Sequence, residues 1–200
     1  RFGWFDLQSR ERADCSPQEV DARPKPERWV ARETRPMEVG RVSKTIGNTH
    51  LHQTRREYDC PAHYDLGMTC NIHGWTYLEP FSWDDQSRTL EFSVLLGKRS
   101  VDVAARQVKE HIEATVVSRT VLGRNTLRDL DAMVIRTLGL KQGTVGLMSV
   151  AVKHGSDYRQ LVRKGAGRLL RGATLWEDAA KTLFTTNCSW SLTQRMCERM

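Results

Sequence analysis

The chain has 200 residues, enough for one ordinary domain or for a small domain and part of a second. Its 31 lysines and arginines exceed its 24 aspartates and glutamates, which gives a formal net charge of +7. A basic surplus favours polyanionic partners, because each phosphate contact releases condensed counterions. No apolar run approaches the length of about 20 residues that a membrane-spanning helix needs, so we expect a soluble chain without a membrane partner.

The cysteines argue for a reducing compartment. They number five, an odd count, and no secretory signal peptide precedes them. Irregularly spaced cysteines without a signal peptide predict free thiols and an intracellular location, the cytoplasm or the nucleoid. The chain starts at Arg1, and residues 189–200 read as an unfinished helix. We therefore expect a piece of a longer protein.

The first 57 residues are rich in arginine, glutamate, aspartate and proline and poor in aliphatic side chains. Such a segment buries too little apolar area to offset the entropy of ordering it. The composition predicts a flexible leader over residues 1–57.

Alternating apolar residues predict an antiparallel sheet over residues 64–118. A first strand is predicted within 64–73 from Leu66, Met68, Cys70 and Ile72. Residues 75–83 and 89–96 are predicted to form a hairpin. The alternation continues through Val101, Val103, Ile112, Ala114 and Val116, so one face of the sheet should be buried.

Helical spacing then replaces alternation, with predicted helices over residues 127–138, 145–152 and 158–164. Strands followed by helices indicate the α+β class. We assign residues 58–164 to this α+β domain and residues 165–200 to the start of an all-α domain.

The helix predicted most sharply begins at Thr174, which forms a capping box with Glu177. Trp176, Ala180 and Leu183 make an apolar stripe, and Asn187 falls next on it. A polar residue on such a stripe either finds buried partners or lies where the helix end opens onto a ligand. Asparagine is also a common helix C-cap. A second capping box, Ser191 with Gln194, predicts the next helix.

Five cations precede the capped helix: Arg159, Arg163, Lys164, Arg168 and Arg171. They favour phosphate contacts beside a helix N-terminus. The alternative is a solvated helix face.

Two Cys-x-x-His pairs, Cys60 with His63 and Cys70 with His73, have the ligand types of a zinc site. Cys70 and His73 would lie on opposite faces of the predicted strand, which argues against that site. Cys188 at a helix end is a poor nucleophile, because the helix dipole there raises a thiol pKa. No phosphate loop, metalloprotease helix or nucleophile elbow is present in the sequence.

Residues 165–190, GAGRLLRGATLWEDAAKTLFTTNCSW, resemble the start of the helical domain of helix-hairpin-helix DNA glycosylases, including the 8-oxoguanine and 3-methyladenine II types. Residues 64–70 and 73–83 resemble the first strands of the TBP-like sheet domain of that family. The resemblance covers roughly residues 64–200.

The resemblance implies a base-excision-repair enzyme that hydrolyses the N-glycosidic bond of a damaged base flipped out of the duplex. Asn187 matches the wedge that fills the vacated place, and Arg163, Lys164, Arg168 and Arg171 would contact DNA. The family's catalytic residues come later than Met200, so none is assigned in this chain. No cofactor is implied. The implied partner is double-stranded DNA with a damaged base, bound by a monomer.

Two departures argue against the 8-oxoguanine type and make an alkylated-base enzyme at least an equal alternative. The loop residues 71–73 lack the glycine that contacts 8-oxoguanine, and Leu192 replaces the arginine that reads the opposite cytosine. A non-catalytic DNA-binding module and a zinc-binding regulator are the alternative functions.

Overall fold

The computed structural model describes residues 51–200, so the leader predicted for residues 1–50 lies outside the described part. The predicted end of the leader at residue 57 is wrong, because β1 spans His52–Asp59 and forms an edge of the sheet. Tyr58 is the one residue of β1 that is fully buried, so the strand lacks the alternation that would reveal it. Its partner strand lies more than 50 residues further along the chain.

Over the described residues, the sheet has five antiparallel strands in the order β1-β5-β4-β3-β2. The remaining strands are β2 Ser82–Asp84, β3 Thr89–Leu96, β4 Arg99–Val108 and β5 His111–Ser118. The alternation seen in the sequence therefore predicted the three central strands correctly. The register places Phe92 opposite Val103 and Val103 opposite Val116, so one apolar row crosses the buried face.

Six helices accompany the sheet within residues 51–200. They are α1 Leu66–Asn71, α2 Arg124–Thr137, α3 Val145–His154, α4 Ser156–Arg163, α5 Leu175–Phe184 and α6 Trp190–Cys197. Leu130, Val134 and Leu138 of the α2 region join the core of the sheet. The α+β class is thus confirmed. Between residues 51 and 200, no helix combines the length and apolar character that crossing a bilayer requires.

The strand predicted within residues 64–73 is wrong, since this segment holds helix α1. Asp65 caps the helix by accepting a hydrogen bond from the Met68 amide at 2.7 Å. Leu66 and Cys70 lie one turn apart and are both buried, as is Thr69. A helical face and an alternating strand both fit such a short run, and the cap decides between them.

The predicted strand over residues 75–83 is mostly wrong too. Trp75–Tyr77 form a 3₁₀ helix, and the paired part is only Ser82–Asp84. Gly74 precedes the 3₁₀ helix at a φ of 80°, a left-handed conformation that glycine adopts without strain. Trp75 and Phe81 of this segment lie against Lys181 of α5, and Phe81 also packs on Phe92 of β3.

Two polar contacts tie the edge strand to the helical layer. Asp131 of α2 accepts hydrogen bonds from the Arg56 guanidinium and from the Tyr58 hydroxyl, the latter at 2.8 Å. These bonds satisfy the partly buried polar ends of two β1 side chains, and they explain how a mostly polar strand is held in place.

Candidate nucleic-acid interface

The start of α5 is as predicted. The Thr174 hydroxyl accepts a hydrogen bond from the Glu177 amide at 3.1 Å, and the Glu177 carboxylate accepts one from the Ala173 amide at 2.9 Å. Asp178 adds a further anchor, because it accepts from the Gly172 amide at 2.6 Å and pairs with Arg136 of α2. Carboxylates in the first turn also complement the helix dipole.

The apolar stripe predicted for α5 is present and faces solvent. Trp176 and Leu183 are each 66% exposed. The face turned inward carries Glu177 and Lys181, which are 8% and 0% exposed. Hydrophobic periodicity identified the helix, and the buried face is the one that carries the ion pair.

Lys181 is enclosed by one carboxylate and two aromatic rings. Its Nζ lies 2.6 Å from Glu177 Oε1, 4.3 Å from the centroid of Phe81 and 5.4 Å from that of Trp75. Both ring distances fall within the range of cation–π attraction. Burial lowers the pKa of Lys181, and the bond to Glu177 opposes this shift. The pair was missed in the sequence, although its i, i+4 spacing is a recognised signal.

Asn187 lies in the turn between α5 and α6 and is exposed. Its φ of 53° is left-handed, the conformation expected of asparagine just beyond a helix end. Within residues 51–200 its side chain makes no hydrogen bond. The amide therefore projects from the turn with its donors and acceptor free.

The second helix of this hairpin begins two residues earlier than predicted. Ser189, not Ser191, caps α6, and it accepts from the Leu192 amide at 3.4 Å. Buried Thr193 donates its hydroxyl hydrogen to the carbonyl of Phe184 at 2.8 Å. This bond joins the two helices directly across the turn that carries Asn187.

Three of the four predicted DNA-contacting cations are exposed. Arg163 ends α4, Lys164 follows it, and Arg171 lies in the segment that leads to α5. None of the three forms an ion pair with any residue from 51 to 200. Their charges are therefore open to a polyanion.

Arg168 is not such a cation, which corrects its predicted role. It is 2% exposed and donates hydrogen bonds to the carbonyls of His63 and Ala62 at 2.8 and 3.0 Å. Its guanidinium also lies 5.6 Å from the ring centroid of Tyr64. Arg168 therefore fastens the segment before α5 to the loop that follows β1.

The predicted zinc ligands are not assembled. Among residues 51–200 no group of three or more histidine, cysteine, aspartate or glutamate side chains is placed to hold a metal. Cys70 is fully buried in the core, where burial raises its pKa to about 12. His73 instead contacts the Leu170 carbonyl through Nε2 at 2.9 Å. A zinc-binding regulator has no support from this geometry.

His73 gives the fold a predicted pH dependence. Burial lowers its pKa below the ordinary 6.5, against the opposing effect of the Leu170 carbonyl, and its Nδ1 has no hydrogen-bond partner among the described residues. As pH falls below 6.5, the unfolded chain takes up a proton first, so this part of the stability is lost on acidification. Urea unfolding at pH 7.5 and 5.5 should show a smaller loss for His73→Gln than for the unmodified chain. Equal losses would contradict this role.

No protein-family model and no curated protein sequence matches the chain. Among solved structures, the chain is similar to the 3-methyladenine DNA-glycosylase from Archaeoglobus fulgidus, with 15% sequence identity and a TM-score of 0.55. The alignment covers 71% of this chain and 48% of that one, so the chain spans about half the length of the solved structure. At this identity the similarity shows a shared fold.

Proposed function

We propose that this chain is part of a base-excision-repair DNA glycosylase, which hydrolyses the N-glycosidic bond of a damaged base flipped out of the duplex. The observation that carries the proposal is the exposed Asn187 amide, held at the tip of the α5–α6 hairpin in a fold shared with a DNA glycosylase. The helix-hairpin-helix family is the proposed affiliation.

A wedge residue must protrude from a rigid support. Its side chain must also fit into the gap that the extruded base leaves in the duplex. Extruding a base costs a few kcal/mol of stacking and pairing, and a side chain that fills the gap recovers part of that free energy. Asn187 protrudes from a turn closed by the Thr193 hydrogen bond to Phe184. Its free amide can donate to and accept from the bases that remain.

The exposed cations support duplex binding. Arg163, Lys164 and Arg171 are unpaired within residues 51–200, so each can neutralise a phosphate without first breaking an ion pair. Contacts of this kind hold the duplex without reading its sequence. We propose double-stranded DNA containing a damaged base as the partner, bound by a monomer in the cytoplasm or nucleoid.

The proposed substrate is an alkylated base. Leu192 is half exposed near the start of α6 and cannot form the hydrogen bonds of an arginine. No residue of this chain is proposed as catalytic, so its contribution is to bind and deform the duplex.

The test compares the affinity of the chain for a duplex carrying one 1,N6-ethenoadenine with its affinity for the undamaged duplex. Asn187→Ala should reduce the preference for damaged DNA roughly tenfold, about 1.4 kcal/mol, and leave binding to undamaged DNA within about twofold. Asn125→Ala is the matched control, because Asn125 is also exposed but lies at the start of α2. Fluorescence anisotropy measures both affinities.

Equal preference in the unmodified chain and in Asn187→Ala would refute the wedge. Tight binding without any preference for damaged DNA would favour the alternative, a non-catalytic DNA-binding module. Alkali cleavage of the damaged strand in the same reactions reports base excision, and cleavage by this chain alone would show that catalytic residues lie within it.

A further inference from the structure

The two faces of α5 compete for burial. One face presents Leu175, Trp176 and Leu183, and the other presents Glu177 and Lys181. Burying a large apolar side chain is favourable by roughly 1.5–3 kcal/mol, and burying an ion is costly. Hydrophobicity alone would therefore rotate the helix about its axis and turn the leucines inward. The observed roll is the opposite one, so specific contacts must select it.

The selecting contacts all converge on Lys181. Its ammonium group reaches the Glu177 carboxylate and the faces of Phe81 and Trp75. Both rings belong to the segment between α1 and β3, so these partners are available to Lys181 in one orientation of the helix only. Trp75 is itself fixed by stacking on His73, with ring centroids 5.5 Å apart.

The other half of the ion pair is equally constrained. Glu177 Oε2 accepts from the Ala173 amide, and Gly172 leaves the space that the carboxylate fills. A Cβ at residue 172 would lie 2.8 Å from Glu177 Cδ, closer than real Cβ atoms approach. The segment before α5 is thus shaped around the inward-facing carboxylate.

The segment that carries Trp75 and Phe81 also contacts α6. The nearest atoms to a Cβ built on Gly74 are those of the Trp190 ring, at 3.5 Å, and Gln194 donates to the Tyr77 carbonyl at 3.4 Å. Residues 74–81 therefore contact both helices of the hairpin, one on each side of the turn. A change in the roll of α5 would redirect that turn.

We propose that the Glu177–Lys181 pair, held against Phe81 and Trp75, sets the roll of α5 and thereby the outward direction of Asn187. The pair moves with the helix, so it discriminates between the two packings through its contacts outside the helix. In the other roll Lys181 would leave the rings of Phe81 and Trp75, and Glu177 would leave the space beside Gly172. Glu177 and Lys181 are positioning residues. Their link to base extrusion rests on the proposed function, whereas the roll itself does not.

The experiment measures which face of α5 is accessible in the absence of DNA. Leu183→Cys, in a background with Cys188→Ser, is labelled with a maleimide, and peptide mass spectrometry follows the rate at residue 183. In the observed roll the site is exposed and reacts fast. The double variant Glu177→Lys with Lys181→Glu keeps the ion pair and the net charge, but it places a carboxylate against the two ring faces and an ammonium group against the Ala173 amide. Both contacts outside the helix become unfavourable, and residue 183 should react at least fivefold more slowly.

The matched control reverses an ion pair of the same kind on the surface. Arg106 and Glu113 lie 2.8 Å apart and are both exposed on the sheet. Arg106→Glu with Glu113→Arg should leave the labelling rate within twofold of the background. An unchanged rate in a cooperatively folded Glu177→Lys, Lys181→Glu variant would overturn the proposal.

A second variant decides the matter if that double variant does not fold. Phe81→Leu retains the ion pair but removes the ring nearest Nζ, and it should slow labelling at least twofold, whereas an unchanged rate would overturn the proposal. Because DNA is absent from this experiment, a negative result would not count against the proposed wedge role of Asn187. Conversely, if Asn187→Ala did not alter the preference for damaged DNA, the proposal about the roll of α5 would still stand.

Discussion

Glu177→Ala should lower the free energy of unfolding by about 3–5 kcal/mol, a loss expected when one member of a buried ion pair is removed. The side chain of Lys181 is fully buried and that of Glu177 is 11% exposed. Without the carboxylate, the ammonium group keeps only the two rings as partners, and the Ala173 amide loses its acceptor. Urea denaturation followed by circular dichroism measures the effect.

The control is the double variant Glu177→Leu with Lys181→Leu, which removes both charges together. Replacing a buried pair by apolar residues is often neutral or stabilising, so its unfolding free energy should lie well above that of Glu177→Ala. A double variant at least as unstable as the single one would show that the cost arises from lost packing and not from a stranded charge.

Arg168→Met should destabilise the fold by about 2–3 kcal/mol, because it removes two charge-assisted hydrogen bonds from a buried side chain. The carbonyls of Ala62 and His63 would lose their donors. Affinity of the folded variant for duplex DNA should stay within about twofold, and the salt dependence of binding should be unchanged, since a buried guanidinium releases no counterions.

Arg171→Met is the matched comparison, three residues further along the chain and exposed. Its stability should change by less than about 0.5 kcal/mol. In the proposed DNA-binding role its affinity should fall, and the slope of log affinity against log salt should decrease by about 1. If Arg168→Met altered the salt slope while Arg171→Met did not, the assignment of the two arginines would be reversed.

The local sequence was sufficient to predict those elements whose burial pattern or cap involves only residues of the same element or next to it. The central strands β3, β4 and β5 bury every second residue, so alternation alone located them. Thr174 and Glu177 meet within one helical turn, so their reciprocal cap could be read from the spacing.

The sequence was insufficient where distant residues determine the outcome. β1 depends on β5 and on Asp131, far along the chain. The inward charges of α5 depend on rings that precede β2. Arg168 was grouped with its neighbouring cations because nothing in the local sequence distinguishes it. What sets it apart is its hydrogen bonds to the carbonyls of residues 62 and 63, which are distant in the chain.

The candidate site, too, could be predicted from the sequence only in part. The sequence placed Asn187 at a helix end, and its conformation there agrees with the C-cap geometry that the residue type favours. It could not show that the neighbouring apolar stripe points outward, because periodicity gives the spacing of a face and not its orientation.

The position of β1 bears on how this protein can be shortened. Within residues 51–200, β1 is hydrogen-bonded on one side only, to β5. A truncation that removed residues 51–59 would leave the backbone groups of β5 unpaired along the sheet margin. Such a margin is a template for strand addition between molecules, so trimming the chain to the first obvious apolar alternation should cause the shortened protein to aggregate.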